Sequence, residues 1–268
     1  MIAIAHSLAI TLYLGAAALA AAPFARPVPA PVRGVTALLG LGVAAHVVAL
    51  LDFMRAHGQA PVSGLGPALS LAALLVAVML LGVELIARDV SLSLVAAPLA
   101  AALAAVANIA GLAPASMASG VQGAWLAAHV ALSFAGIASF ATGAAAGVMY
   151  MVERRELKAR RFGAIFRFFP PLDTLDRVNH LACLAGGATL TLGVAIAVAY
   201  SVEFRTFNLP QLLWGMAAWA ALSVIALGRA IGGWQARRAA LVTSTSFAAV
   251  VLLYVALRMT GAADGGFL

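Results

Sequence analysis

The sequence predicts an all-α protein, a polytopic transmembrane helix bundle of about eight spans that forms a single membrane domain over 1–268. The first observation is composition: 64% of the 268 residues are hydrophobic and only 9% are charged, whereas soluble domains carry about 25% charged residues. The second is that apolar segments close to the bilayer-spanning length recur along the chain. They lack the alternation of barrel strands, and lipid requires each backbone to satisfy its own hydrogen bonds, so they are expected to be helices.

In chain order, the spans are expected at about 3–22, 34–54, 66–86, 92–112, 124–151, 175–201, 211–231 and 239–259. No basic residue precedes the first segment, so we interpret it as a retained helix and not as a cleaved signal. Pro170 and Pro171 end the loop before the sixth span, and Asp173 or Thr174 is expected to cap that helix. The single cysteine, Cys183, excludes an internal disulfide.

The basic residues predict the orientation of the spans. Loops and helix ends after the odd-numbered spans hold thirteen of the 16 basic residues, and the opposite side holds Arg55, Arg205 and Arg258. By the positive-inside rule, both termini face the outer side of the membrane and the loops after odd-numbered spans are cytoplasmic. A lipid-headgroup or nucleic-acid site is the alternative explanation of the basic loop, but a topology signal explains it more simply, so no nucleic-acid partner is expected. The thirteen are Arg26, Arg33, Arg88, Arg154, Arg155, Lys158, Arg160, Arg161, Arg167, Arg177, Arg229, Arg237 and Arg238.

Four histidines lie within predicted spans. His6, His46 and His129 lie toward the outer side, whereas His180 lies near the cytoplasmic start of the sixth span, where solvation at the interface explains it. Ionisable groups inside a span are costly and are therefore candidates for function. Imidazole is a ligand of haem iron, and two histidines on different helices at similar depth can supply both axial bonds. His46 and His129 fit that arrangement best, and His57, in the following outer loop, is a weaker candidate. The alternative for each ring is a hydrogen bond to a backbone carbonyl of a neighbouring helix.

No pattern for other chemistry is found in the sequence. It contains neither a phosphate-binding GxxxxGK[ST] loop nor an HExxH zinc motif, and Asp52 and Glu84 lie near the ends of predicted helices. We therefore predict no catalytic residues, no enzymatic turnover and no metal beyond haem iron.

Three stretches carry a family resemblance. WLAAHVALSFAGIASFATGAAAGVMYMVERRELKAR, FPPLDTLDRVNHLACLAGGATLTLG and NLPQLLWGMAAWAALSVIALGRAIGGWQARRAA resemble, in order and spacing, the cytochrome c assembly family of CcsA-, CcmC- and HemX-like membrane proteins. HVVALLDFMRAHGQAPVSG is similar to the family's second helix and the loop after it. The resemblance covers about 34–260 and is most specific over 120–260.

The chain also departs from the family pattern. Asn208 and Leu209 stand where haem-handling members have the end of a W-x-W-D-P segment, Leu227 replaces a later histidine, and the tail MTGAADGGFL has no histidine. His129 matches the family's first external histidine. The pattern is closest to the short, eight-helix HemX/YpjD-like branch.

The resemblance implies a multi-pass protein of the bacterial inner membrane, with both termini on the periplasmic side. Such a protein binds or handles haem during c-type cytochrome biogenesis, together with other cytochrome c assembly proteins. Haem is expected in the outer half of the bundle, with His129 and His46 on the iron and with Pro210 and Trp214 at the external rim. The alternative is a HemX-like regulator or scaffold of haem biosynthesis without bound haem. In that case Arg154, Arg155 and Lys158 would contact a cytoplasmic enzyme such as glutamyl-tRNA reductase. A small transporter is a weaker alternative, because no inverted repeat is visible.

Overall fold

The structure, a computed structural model, describes residues 1–25, 31–87, 90–114, 120–160, 170–205 and 209–259. Eight helices in this part of the chain are long and apolar enough to cross a membrane, and no strand is found in it. The predicted all-α class and the eight spans are confirmed, whereas the orientation of the termini stays a prediction. The helices are α1 (Ile2–Ala20), the four-residue α2 (Ala22–Ala25), α3 (Val32–His57), α4 (Leu65–Ala87), α5 (Ser93–Ala110), α6 (Gly120–Lys158), α7 (Leu172–Phe204), α8 (Leu209–Ala230) and α9 (Ala236–Met259).

Two boundaries around the basic loop differ from the prediction. Helix α6 continues past the predicted end at 151 to Lys158, because Glu153 is buried in the packed part of the helix and its neighbours are good helix formers. The basic segment therefore begins as helix. Helix α7 begins after Pro171, which is its N-cap without any side-chain capping bond. The predicted cap at Asp173 or Thr174 is wrong, since both residues already lie in the first turn.

The described helices divide into two compact units, α1 to α5 and α6 to α9. In the first unit, α1 packs against α3 and α5, and α4 packs against α3 and α5. Tyr13, Leu39, Phe53 and Leu80 are among its fully buried side chains. Gly42 of α3 lies directly against the Tyr13 ring, since a Cβ there would stand 2.7 Å from the ring edge. The prediction of one membrane domain over 1–268 stays a prediction.

In the second unit, the long helices α6 and α7 pack against each other along a glycine-containing seam. Gly136 of α6 faces Leu190 of α7, and a Cβ at Gly143 would lie 3.3 Å from the Cys183 sulfur. Small residues of this kind allow helix backbones to approach closely in lipid. Helices α8 and α9 complete a core that contains Phe140, Cys183, Leu190, Ala218, Leu222, Ile225 and Val250.

A tight turn joins α8 to α9. The Trp234 backbone N–H donates to the Gly228 carbonyl at 3.0 Å, and the indole folds back onto Gly228, where any side chain would collide with it. Gly233 adopts φ +57°, a conformation that favours glycine. The Arg238 guanidinium lies 4.5 Å from the centre of the Trp234 ring. Gly233, Trp234 and Arg238 therefore belong to one local structure at the start of α9.

Candidate functional site

His129 lies in α6 and is hydrogen-bonded to the neighbouring helix. Its Nδ1 lies 2.9 Å from the Gly193 carbonyl oxygen of α7. A carbonyl only accepts, so Nδ1 carries the proton and, in the neutral ring, the lone pair is on Nε2. Gly193 makes this close approach possible, because a Cβ there would stand 3.1 Å from the Ser133 hydroxyl of α6. The carbonyl-bonded alternative is thus observed, and the same bond fixes the ring as metal-binding histidines are commonly fixed.

An aromatic cluster of Trp125, Tyr200 and Phe204 lies at the same end of α6 and α7 as His129. The centroids of the Trp125 and Phe204 rings are 6.4 Å apart, and those of Tyr200 and Phe204 are 4.7 Å apart. The Gln122 amide donates to the Tyr200 hydroxyl at 3.0 Å. Trp125 is four residues before His129, so both side chains project from one face of α6. This end of the second unit therefore combines one available imidazole nitrogen with several aromatic rings.

Trp214 of α8 is held against α9. Its indole N–H donates to the Val250 carbonyl at 3.1 Å, and its ring lies 5.3 Å from the Tyr254 ring. Pro210 is in the first turn of α8, and Asn208 lies outside the described residues. The structure accordingly assigns Trp214 a packing role within the second unit, and a role of Trp214 and Pro210 at an external rim stays a prediction.

His46 lies in the first unit, and both of its ring nitrogens are hydrogen-bonded. Nδ1 is 3.2 Å from the Tyr13 hydroxyl and Nε2 is 2.9 Å from the Ser70 hydroxyl. His6 Nε2 is 2.8 Å from the same Ser70 oxygen. His46 could therefore bind a metal only by giving up one of these bonds. Its pairing with His129, which lies in the second unit, stays a prediction.

The sequence identifies His6 and His46 as candidate functional residues, but it does not identify Tyr13 and Ser70 as their hydrogen-bond partners. One tyrosine and one serine in apolar helices are ordinary residues, and nothing local distinguishes them. One feature of the sequence does suggest that Ser70 and His6 could meet. Ser70 lies about one and a half turns into α4, and His6 lies about one turn into α1, so the two residues have similar depths when the helices run parallel. That signal becomes specific only when the packing of the helices is known.

The remaining candidates lie at helix ends. His57, the last residue of α3, has Nδ1 3.0 Å from the Phe53 carbonyl oxygen and its ring 4.5 Å from the Phe53 ring. Its Nε2 lone pair is therefore available, so it stays a weak candidate. Glu84 is buried near the end of α4 and accepts hydrogen bonds from the Thr36 and Ser93 hydroxyls. Among the described residues, no group of three or more His, Cys, Asp or Glu side chains could hold a metal ion.

The end of α6 presents the basic residues predicted to contact a partner. Arg155 and Lys158 are exposed and Arg154 is half-buried, whereas the preceding Glu153 side chain is 4% exposed. Residues 161–169, which follow this helix end in the chain, lie outside the described residues.

Comparison with known proteins gave one family. The family model described as "Cytochrome C assembly protein" matches residues 35–262. Neither the curated proteins nor the solved structures gave a match. The matched region contains His46, His57, His129 and Trp214, and it begins after His6 and Tyr13. Because it covers most of the chain, the chain belongs to the cytochrome c assembly protein family, which supports a role in c-type cytochrome biogenesis.

Proposed function

We propose that this protein binds and hands on haem during c-type cytochrome biogenesis, with Nε2 of His129 as a ligand of the iron. The observation that carries the proposal is the bond from His129 Nδ1 to the Gly193 carbonyl. It sets the tautomer that leaves Nε2 ready for ligation, and it orients the ring from the neighbouring helix. Family membership supplies the biological setting, since c-type cytochromes carry covalently attached haem.

The surroundings of His129 suit a flat, largely apolar macrocycle. Trp125 is 37% exposed. Phe204 meets the Trp125 ring edge to face, and Tyr200 lies against Phe204, so aromatic surface is available at the end of the unit that contains His129. The protein would hold haem by ligation and apolar contact, with no covalent step and no turnover. In the proposed orientation this end of the bundle faces the periplasm from a bacterial inner membrane, where other cytochrome c assembly proteins would exchange the haem.

The direct test is haem content of the full-length protein purified after expression with haem supplementation. We expect a Soret band in the wild type and a loss of haem affinity of about 100-fold or more in His129→Ala, since removing even an outer-shell partner of a ligand costs 10–100-fold. Imidazole added to His129→Ala should restore part of the band, because it can occupy the vacated position on the iron.

His180→Ala is the control, because this histidine lies on α7, 13 residues before Gly193, and is not a candidate ligand of the iron. Its haem content should equal that of the wild type. The proposal fails if the supplemented wild type shows no Soret band, or if His129→Ala retains its haem with an unchanged spectrum.

A second candidate function, regulation of a cytoplasmic haem-biosynthesis enzyme, is favoured by the exposed basic end of α6. Arg155 and Lys158 project from a helix that continues beyond the predicted span, and such a helix end can bind an acidic surface. This function requires no haem on the protein.

Charge reversal separates the two functions. Under haem handling, Arg154→Glu with Arg155→Glu should leave the haem content unchanged, because neither residue is near His129 along α6. Under the regulatory function, the same variant should lose glutamyl-tRNA reductase in a pull-down from membranes. Arg55→Glu with Arg205→Glu, two exposed positions on the predicted outer side, makes the same change in net charge and is the control for the pull-down.

A further inference from the structure

The end of the second unit that holds the aromatic cluster also carries neutral hydrogen-bond donors. The Gln122 amide of α6 donates to the Tyr200 hydroxyl of α7 at 3.0 Å, and both side chains are half-buried. A tyrosine hydroxyl can accept one hydrogen bond and donate another. Because Tyr200 accepts from Gln122, its own O–H remains available, and this O–H has no acceptor among the described residues.

Arg205 adds a positive charge at the same end of α7. It directly follows Phe204, the last residue of the helix, and its side chain is exposed. No described residue forms a hydrogen bond or an ion pair with this side chain, and that includes the adjacent carboxylate of Glu203. Arg205 is also one of only three basic residues on the predicted outer side, where the positive-inside rule leaves few of them. A guanidinium is therefore available here to bind an anion.

The backbone conformation at Arg205 does not favour arginine. Its φ of 52° and ψ of 35° lie in the left-handed region, which glycine adopts most readily at the end of a helix. Gly58 occupies the corresponding left-handed position after α3. Since glycine would suit the helix end better, the reason for an arginine is to be sought in its side chain, and an unfavourable backbone conformation of this kind is a pointer to function.

Spacing along the helices relates these donors to His129. Gln122 lies seven residues before His129, and Tyr200 lies seven residues after Gly193, whose carbonyl holds the His129 ring. Each interval is about 10 Å along a helix, which is similar to the separation of the iron from the propionate carboxylates at the edge of haem. Trp125 lies between Gln122 and His129 on the same face of α6. An aromatic ring thus separates the ligand from the donors, as the macrocycle separates the iron from the carboxylates.

We propose that Arg205, Tyr200 and Gln122 form the subsite that binds the propionate carboxylates of haem. The proposal rests on the proposed function, because it requires His129 on the iron. The Arg205 guanidinium pairs with a carboxylate, and the free Tyr200 O–H donates to one. Such bonds are stronger than bonds between neutral groups, because the acceptor is charged. The subsite determines which edge of haem faces this end of α6 and α7.

The test compares haem with its dimethyl ester, in which both carboxylates are neutral while the iron and the ring are unchanged. Full-length protein purified without haem is titrated with each compound, and the Soret band reports binding. We expect the preference of the wild type for haem over the ester to fall about tenfold or more in Arg205→Gln, because a bond to a charged group is lost. The position of the Soret band should not change, since His129 is untouched. One ratio of affinities is compared between proteins, so the different partition of the two compounds into detergent cancels.

Three further variants separate a binding role from a structural one. Arg205→Gly should be at least as stable as the wild type, because glycine adopts φ +52° without strain, yet it should lose the preference as Arg205→Gln does. Tyr200→Phe keeps the ring beside Phe204 and should lose a smaller part of the preference. Glu203→Gln, a change at the exposed neighbouring position, is the control and should not lower the preference.

The subsite and the proposed function fail in different ways. If haem binding depends on His129 but Arg205→Gln and Arg205→Gly keep the preference of the wild type, the subsite is overturned and the proposed function stands. If the wild type shows no haem band that depends on His129, the proposed function fails and the subsite falls with it. An equal loss of preference in Glu203→Gln and Arg205→Gln would also overturn the subsite, because the effect would then belong to the helix end and not to the guanidinium.

Discussion

Gly66→Ala is expected to destabilise the protein by about 2–4 kcal/mol, because a buried methyl group would be forced against backbone. Gly66 lies in the first turn of α4 and is buried. An added Cβ would overlap the Gly111 carbonyl oxygen, and it would lie 2.8 Å from the Gly111 carbon and 3.0 Å from the Ala107 carbonyl oxygen. Side chains can rotate away from such a contact, but these are main-chain atoms at the end of α5. The two helices would have to separate, with loss of the close packing between them.

The measurement is the free energy of unfolding in detergent or lipid, by steric trapping or by titration with a denaturing detergent. Gly40→Ala and Gly82→Ala are matched controls within the same unit, because a Cβ at either position meets no atom within 4 Å. Both should be neutral or stabilising by up to about 1 kcal/mol, as expected for alanine in place of a helical glycine. Equal stability of Gly66→Ala and the two controls would contradict the close approach of α4 and α5.

The spans could be predicted from the sequence because lipid imposes a simple rule of length and polarity. All eight predicted segments are found as helices, and most ends agree within a few residues. The largest difference is the end of α6, because the charged run from Glu153 to Lys158 predicts a loop but forms helix. Charge excludes a segment from the hydrocarbon but does not exclude helix, and Glu, Arg, Leu and Lys are good helix formers.

The candidate site could be predicted only in part, because hydrogen-bond partners are set by packing. The sequence identifies His129 within the fifth span, but its partner, the Gly193 carbonyl, is 64 positions away and belongs to a residue without a side chain. Likewise, the sequence predicts His46 as a candidate ligand but does not predict the bonds of its two nitrogens to Tyr13 and Ser70. Periodicity shows which face of a helix is apolar, but not which neighbour that face meets.

An ion pair between α7 and α8 is likewise set by helix packing and cannot be predicted from the sequence, because its members, Asp176 and Arg229, are 53 positions apart. Asp176 lies near the start of α7 and Arg229 near the end of α8. The two side chains differ in exposure: that of Arg229 is 10% exposed and that of Asp176 is 32% exposed. Moreover, Arg229 Nε is buried without a hydrogen-bond partner among the described residues. Most of the charge buried in this pair is therefore on the arginine.

We expect this difference in exposure to determine which single substitution costs more stability in a double-mutant cycle at Asp176 and Arg229. Asp176→Leu should destabilise by about 3 kcal/mol, because it leaves the buried guanidinium without its counter-ion. Arg229→Met should cost less, about 1–2 kcal/mol, because the remaining carboxylate at Asp176 is one third exposed and can be solvated. The double variant should lie within about 1 kcal/mol of the wild type, since apolar replacement of a buried pair is often neutral.

Denaturation of the four proteins under one condition gives the coupling free energy directly. Additive single effects, or a larger loss for Arg229→Met than for Asp176→Leu, would show that the charge of Arg229 is solvated and that the pair contributes little to the packing of α7 on α8.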